Sequence, residues 1–199
     1  MNRNIIQNCL IILLLAFLFP IGSSHSRDIY DIDFYGYKIS ESLLDYFTIQ
    51  DIQEKMFQNK ESRDYMSYEL PLKTKIDGMD QIKFLVRKDD PDYILYHISV
   101  GKFFGKNNIE LCESKRKKIV KEIEMKYPKS KKSSYETKYR LEDGKSIAYQ
   151  TQFQMDEGLI RIYCIDWSPM VEGKYGYVDN LQYGISSEVY ISDSIKNPN

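Results

Sequence analysis

Tryptophan occurs once and histidine twice in this chain of 199 residues, cysteine three times, and 28 basic side chains nearly balance 29 acidic ones. Each scarcity closes off a class of function. A zinc site or a Ser-His-acid triad needs several groups converging. Two histidines without a nucleophile or carboxylate at a recognisable spacing do not supply them. A net charge of -1 gives no overall field to steer the chain onto nucleic acid. The one long apolar run, 9–19, is well short of the roughly 20 residues that a membrane-spanning helix takes, so an integral membrane protein is not expected. No cofactor motif is present.

The apolar run has a different reading. Met1-Asn2-Arg3-Asn4 is a short basic start, Pro20 ends the run, and Gly22-Ser23-Ser24-His25-Ser26 is a small, polar exit. That is the grammar of a secretion signal. Cleavage is expected after Ser24 or Ser26; taking the signal as 1–26 leaves one domain, 27–199, in a periplasmic or secreted setting. The alternatives are an uncleaved anchor or a buried first helix. Cleavage also removes Cys9 and leaves Cys112 and Cys164. An even count in an exported chain implies one disulfide, the alternative being two unpaired buried thiols. The 17 tyrosines follow the codon bias of an AT-rich genome before they imply binding.

Periodicity supplies the elements. A short strand is expected over 32–37, then two short helices, one capped by Ser40 and one by the Thr48-Ile49-Gln50-Asp51 capping box. Strands follow at 65–70, 82–87 and 93–100, with Ile82, Phe84 and Val86, then Ile94, Tyr96, Ile98 and Val100, facing inward. Asp89-Asp90-Pro91-Asp92 is turn chemistry. It lacks the spaced ligands of a calcium loop. A long helix runs from Asn107 or Asn108 to Pro128, with an apolar stripe at Ile109, Cys112, Ile119, Val120, Ile123 and Tyr127. Further strands carry Tyr135, Thr137, Tyr139 and Leu141, then Ile147, Tyr149, Thr151, Phe153 and Met155, then Ile160, Ile162 and Cys164. After a loop over 168–180, Leu181, Tyr183, Ile185 and Val189 mark a closing strand. Consecutive hairpins make an antiparallel sheet, and the helices bury their stripes against it. The expected fold is a two-layer α+β domain: a meander sheet with helices on one face, helix-then-strands used twice.

Phe34-Tyr35-Gly36-Tyr37-Lys38-Ile39 running into Ser40-Glu41-Ser42-Leu43-Leu44 resembles the opening of many small exported bacterial proteins. A helical Cys112 with Cys164, next to Asp166-Trp167, resembles uncharacterised exported proteins of AT-rich bacteria. The layout is similar to the β-lactamase-inhibitor-like arrangement of a helix pair plus meander, used twice. This resemblance implies a non-catalytic binding or assembly module, with no active site to carry over.

Three surfaces are candidates for function. Strand alternation puts Tyr93, His97, Lys138, Arg140, Gln150, Gln152, Gln154, Arg161 and Tyr163 on the sheet face away from the helices, with Trp167 at its edge. Amides, guanidinium groups and aromatics together suit a binding interface, and the leading expectation is a non-enzymatic module that binds an envelope component there. The second surface is the run of Lys115, Arg116, Lys117, Lys118 and Lys121, which would hold an anionic lipid or glycan. The third is the carboxylate set Glu136, Asp143, Asp156, Glu157 and Asp166, which would serve a hydrolase if two of them stood about 5–10 Å apart.

Overall fold

The computed structural model describes residues 28–58, 63–71, 78–139 and 144–196; the expected signal, 1–26, lies outside them. Two single-turn helices (Ile29–Asp31 and Leu43–Asp45) precede α1 (Ile49–Lys55). Four strands follow: β1 (Met56–Gln58), β2 (Tyr65–Pro71), β3 (Gln81–Arg87) and β4 (His97–Gly105). Helix α2 (Ile109–Lys126) leads into β5 (Lys131–Lys138), β6 (Ile147–Gln154) and β7 (Gly158–Asp166). The short α3 (Pro169–Tyr175), β8 (Asp179–Ser187) and α4 (Glu188–Lys196) complete the described chain.

All eight strands form one antiparallel sheet in the order β1-β2-β3-β4-β8-β7-β6-β5. Each half is a meander behind its own helix, and the halves join where β4 pairs with β8. The two-layer α+β arrangement, with helix-then-strands used twice, is therefore present. On α2, Cys112, Ile119, Val120 and Ile123 are buried in one core with Ile160, Ile162, Leu181 and Ile185 of the sheet. Cys112 and Cys164 are joined in a disulfide, their Cα atoms 5.9 Å apart, which ties the stripe of α2 to β7.

Helix ends show which side chains hold the elements in place. Thr48 accepts a hydrogen bond from the backbone N–H of Asp51 and caps α1, as its sequence implies. Asn108 stands at the N-cap of α2 without a side-chain cap bond. Buried Asp179, at the start of β8, supplies a carboxylate there instead. It accepts from the N–H of Asn108 (2.6 Å) and of Trp167 (3.2 Å). A carboxylate at a helix N-terminus also meets the positive end of the helix dipole.

Several expected elements differ. Residues 34–37 close a tight turn with Tyr35 and Gly36 both at positive φ, joined by an isolated bridge from Phe34 to Tyr37, and add no strand to the sheet. The 93–100 strand begins only at His97, because Tyr93 has φ 50° in a turn that Asp90 closes. Tyr96 consequently leaves the main core and packs on the opposite face against Tyr65, Leu85 and Tyr190. The 168–180 loop contains α3, capped by Ser168, with Pro169 at its first turn and Gly176 in the left-handed region at its end. Val189 lies on α4 and not on a strand.

Candidate functional site

Antiparallel register fixes what shares the second face of the sheet. One cross-strand row reads Lys83, Ser99, Gly184, Arg161 and Gln152 from β3 to β6. The next row reads Gln81, Gly101, Gln182, Tyr163, Gln150 and, on β5, Tyr135. At about 4.8 Å per strand, the five positions from Lys83 to Gln152 span about 19 Å. Two walls flank these rows. On one side, α4 lays Tyr190 against Tyr65 and Leu85, pinned by Asp193, which accepts from Tyr65 Oη and Arg87 Nη2 at 2.8 Å each. On the other, α3 buries Val171 with Trp167, Ile165 and Ala148. The open face is thus a polar trough between two helical rims.

At the foot of the α4 wall the trough deepens into a hollow of about 40 Å³, bordered by Lys83, His97, Arg161, Tyr163, Gln182 and Ser186 among others. Glycine makes the depth possible. A Cβ on Gly184 would stand 2.7 Å from the Ile98 carbonyl oxygen and 2.7 Å from Ser99 Cβ. Lys83 is matched by Glu69 at 3.5 Å. Arg161 makes no ion pair or hydrogen bond to another described residue, and its Nε is buried without a partner. His97 Nδ1 lies 2.7 Å from Ser186 Oγ, and its ring sits 5.4 Å from that of Tyr190. Burial, then the charges of Lys83 and Arg161, push the imidazole down to about 3. The ring is therefore neutral near pH 7.

Six residues expected on this face, His97, Gln150, Gln152, Gln154, Arg161 and Tyr163, do lie on the trough side of the sheet. Tyr93 does not. It packs on the main core beside α1, its hydroxyl 3.5 Å from Gln53 Nε2, because the turn before β4 breaks the alternation. Trp167 is on the expected side and near the edge, but α3 closes over it. It is 8% exposed, with Tyr139 and Tyr177 against its ring at 5.0 and 4.9 Å. It serves the rim from within and not as a surface anchor. Arg140 lies outside the described residues. Lys138 and Glu136 share the side of Ile147 and Tyr149, and the trough receives Tyr135 and Thr137 instead. Every residue of β5 is exposed, so burial gives its alternation no facing signal. Gly184 and Ser186 on β8 (Asp-Asn-Leu-Gln-Tyr-Gly-Ile-Ser-Ser) carry no local signal of a site, because polar and small residues recur along the whole strand.

The other two surfaces are less coherent. Lys117, Lys118 and Lys121 are exposed and Lys115 is half-buried on α2. At about 100° per residue, they fan around the outward face, interleaved with Glu110, Glu122 and Glu124. Arg116 turns inward, donating to both oxygens of Glu113 and to Thr151 Oγ1. Of the carboxylates, Asp166 ends β7 and Glu157 precedes its start. Nine residues at about 3.3 Å each put them roughly 30 Å apart. Asp166 is raised by burial and then by Asp179 and Glu172. Glu157 is raised by its hydrogen bond with Asp28. Asp143 lies outside the described residues. Among the described residues, no three His, Cys, Asp or Glu groups are placed to hold a metal ion, and no helix is long and apolar enough to cross a membrane. No family model, curated protein or solved structure matches this chain.

Proposed function

We propose that this chain is an exported, non-enzymatic binding module that holds an envelope component along the trough of the open sheet face. The observation that carries the reading is the half-buried Arg161 guanidinium, whose donors no described residue uses. Leaving its buried Nε donor without a partner costs stability, and a ligand that accepts from it is one way such a group is met. The disulfide fits an oxidising compartment, which agrees with a secretion signal over 1–26 and with the resemblance to small exported binding proteins. His97 supports binding over catalysis. A group held at about 3 has little drive to take a proton near neutral pH, so its contact with Ser186 reads as structural.

A photo-crosslinking amino acid placed at Gln152, on the trough, and separately at Lys117, on the outward face of α2, tests the reading in cells that export the chain. Adducts with an envelope component are expected from position 152 and not from 117. Adducts from 117 alone would move the binding surface to the lysine-bearing helix. Adducts from neither would remove the module reading.

A further inference from the structure

Size, charge and surface chemistry narrow what the trough takes. We infer that the hollow beside Arg161 seats the carboxylate of an acidic sugar, with the rest of the saccharide lying along the trough. This rests on the reading of the open face as a binding surface and specifies its ligand.

The hollow, about 40 Å³, exceeds the space one water molecule needs, roughly 10–15 Å³ on the same kind of measure, by enough for a headgroup of a few heavy atoms. Its charge suits one negative unit. Lys83 already faces Glu69, and His97 is neutral, so Arg161 is the cation left unmatched. A guanidinium presents a planar fork of donors that fits a carboxylate bidentately. Ser186, Gln182 and Tyr163 at the same hollow place hydroxyl and amide groups around that anion.

What surrounds the hollow favours a sugar over a protein segment. The two central rows carry glutamine amides at positions 81, 150, 152 and 182, with glycine at 101 and 184. Amides both donate and accept, which matches hydroxyls. Among the side chains of these two rows, the aromatic ones are tyrosines and no Leu, Ile, Val, Phe or Met is present; the apolar lining of the hollow is Leu85 and Tyr190 of the α4 wall, both buried. A protein interface would call for an apolar anchor pocket at its centre. The α3 rim and the β5 edge add Tyr135, Tyr139 and Tyr177, each exposed by about two fifths (43, 37 and 40%). Flat rings with a polar tip can stack on a sugar face and still hydrogen-bond.

The test is a titration of the mature, oxidised chain, followed by NMR through the His97 ring resonances and by calorimetry. Tri-galacturonate, its methyl ester and sodium acetate are the three probes. The acid is expected to bind and to shift the His97 signals. The ester, with the same rings and no charge, should bind at least about tenfold more weakly, the cost of leaving a charge-assisted pair unmade. Acetate should be weaker than the acid by a similar factor, and added salt should weaken the acid. Arg161→Gln should abolish binding of the acid and leave the fold intact. Because Arg161 lacks a partner, Arg161→Met should hold or raise the melting temperature, which a purely structural arginine would not allow. Equal binding of acid and ester, or of acid and acetate, overturns the inference. So does retention of binding in Arg161→Gln. If the acid fails while crosslinks at position 152 still form, the module reading stands and the acidic sugar is wrong. If both fail, both fall.

Discussion

Reduction of the Cys112–Cys164 bridge should cost about 4 kcal/mol of folding stability. The two residues are 52 apart in sequence, and closing a loop of that length removes on the order of 14 cal/mol/K from the unfolded chain, or about 4 kcal/mol at 25 °C. Typical domains hold only about 5–15 kcal/mol in total. For a domain of this size each kcal/mol moves the melting temperature by about 2–4 °C, so reduction should lower it by roughly 8–16 °C. The assay is urea unfolding followed by circular dichroism, with and without reductant, the thiol state confirmed by mass at each end. The reduced protein should also show a steeper urea dependence, because its unfolded chain exposes more surface. Cys112→Ala combined with Cys164→Ala should fall at or below the reduced protein. Both sulfurs are fully buried, and deleting them leaves a cavity as well. Oxidised and reduced proteins whose unfolding free energies agree to within about 1 kcal/mol would refute the entropic reasoning.

Two further tests probe the hollow. His97 takes a proton near pH 6.5 in the unfolded chain and only at about 3 in the native one. Its contribution is thus fully present above about pH 6.5 and is lost as pH falls toward 3, by at most about 1.4 kcal/mol per pH unit and less where water reaches the ring. Urea titrations across that range should show the slope, and His97→Gln should remove that part of it; a native imidazole that titrates near its ordinary value by NMR would contradict the burial argument. Gly184→Ala should destabilise by about 1–3 kcal/mol, since its methyl would meet the Ile98 carbonyl and, at 3.1 Å, His97 Cε1. An unchanged denaturation midpoint would show that β4 and β8 yield there.

The sequence alone determined those parts of the molecule whose burial repeats with a short period. Ile160, Ile162 and Cys164 on β7, Thr151 and Phe153 on β6, and the Cys112-to-Ile123 stripe on α2 all face one core, and an alternating or helical pattern is local enough to read in order. The glutamines of β6 were legible as the opposite phase of an alternating strand, whereas on β7, apolar in part on both faces, Arg161 and Tyr163 were placed by Cys164 facing the helix. Tertiary structure decided the rest. Nothing local marked Tyr93 as facing the other way, because a single positive φ before β4 resets the phase. β5 had no buried face to set its phase. Trp167 became a buried rim residue, and α4 returned over the second face, through contacts between segments far apart in the chain. The isolation of Arg161 belongs to this group too: whether a guanidinium is paired depends on what the strands beside it carry at the same level, here Gly184 and Gln152, and that register is set by the whole sheet.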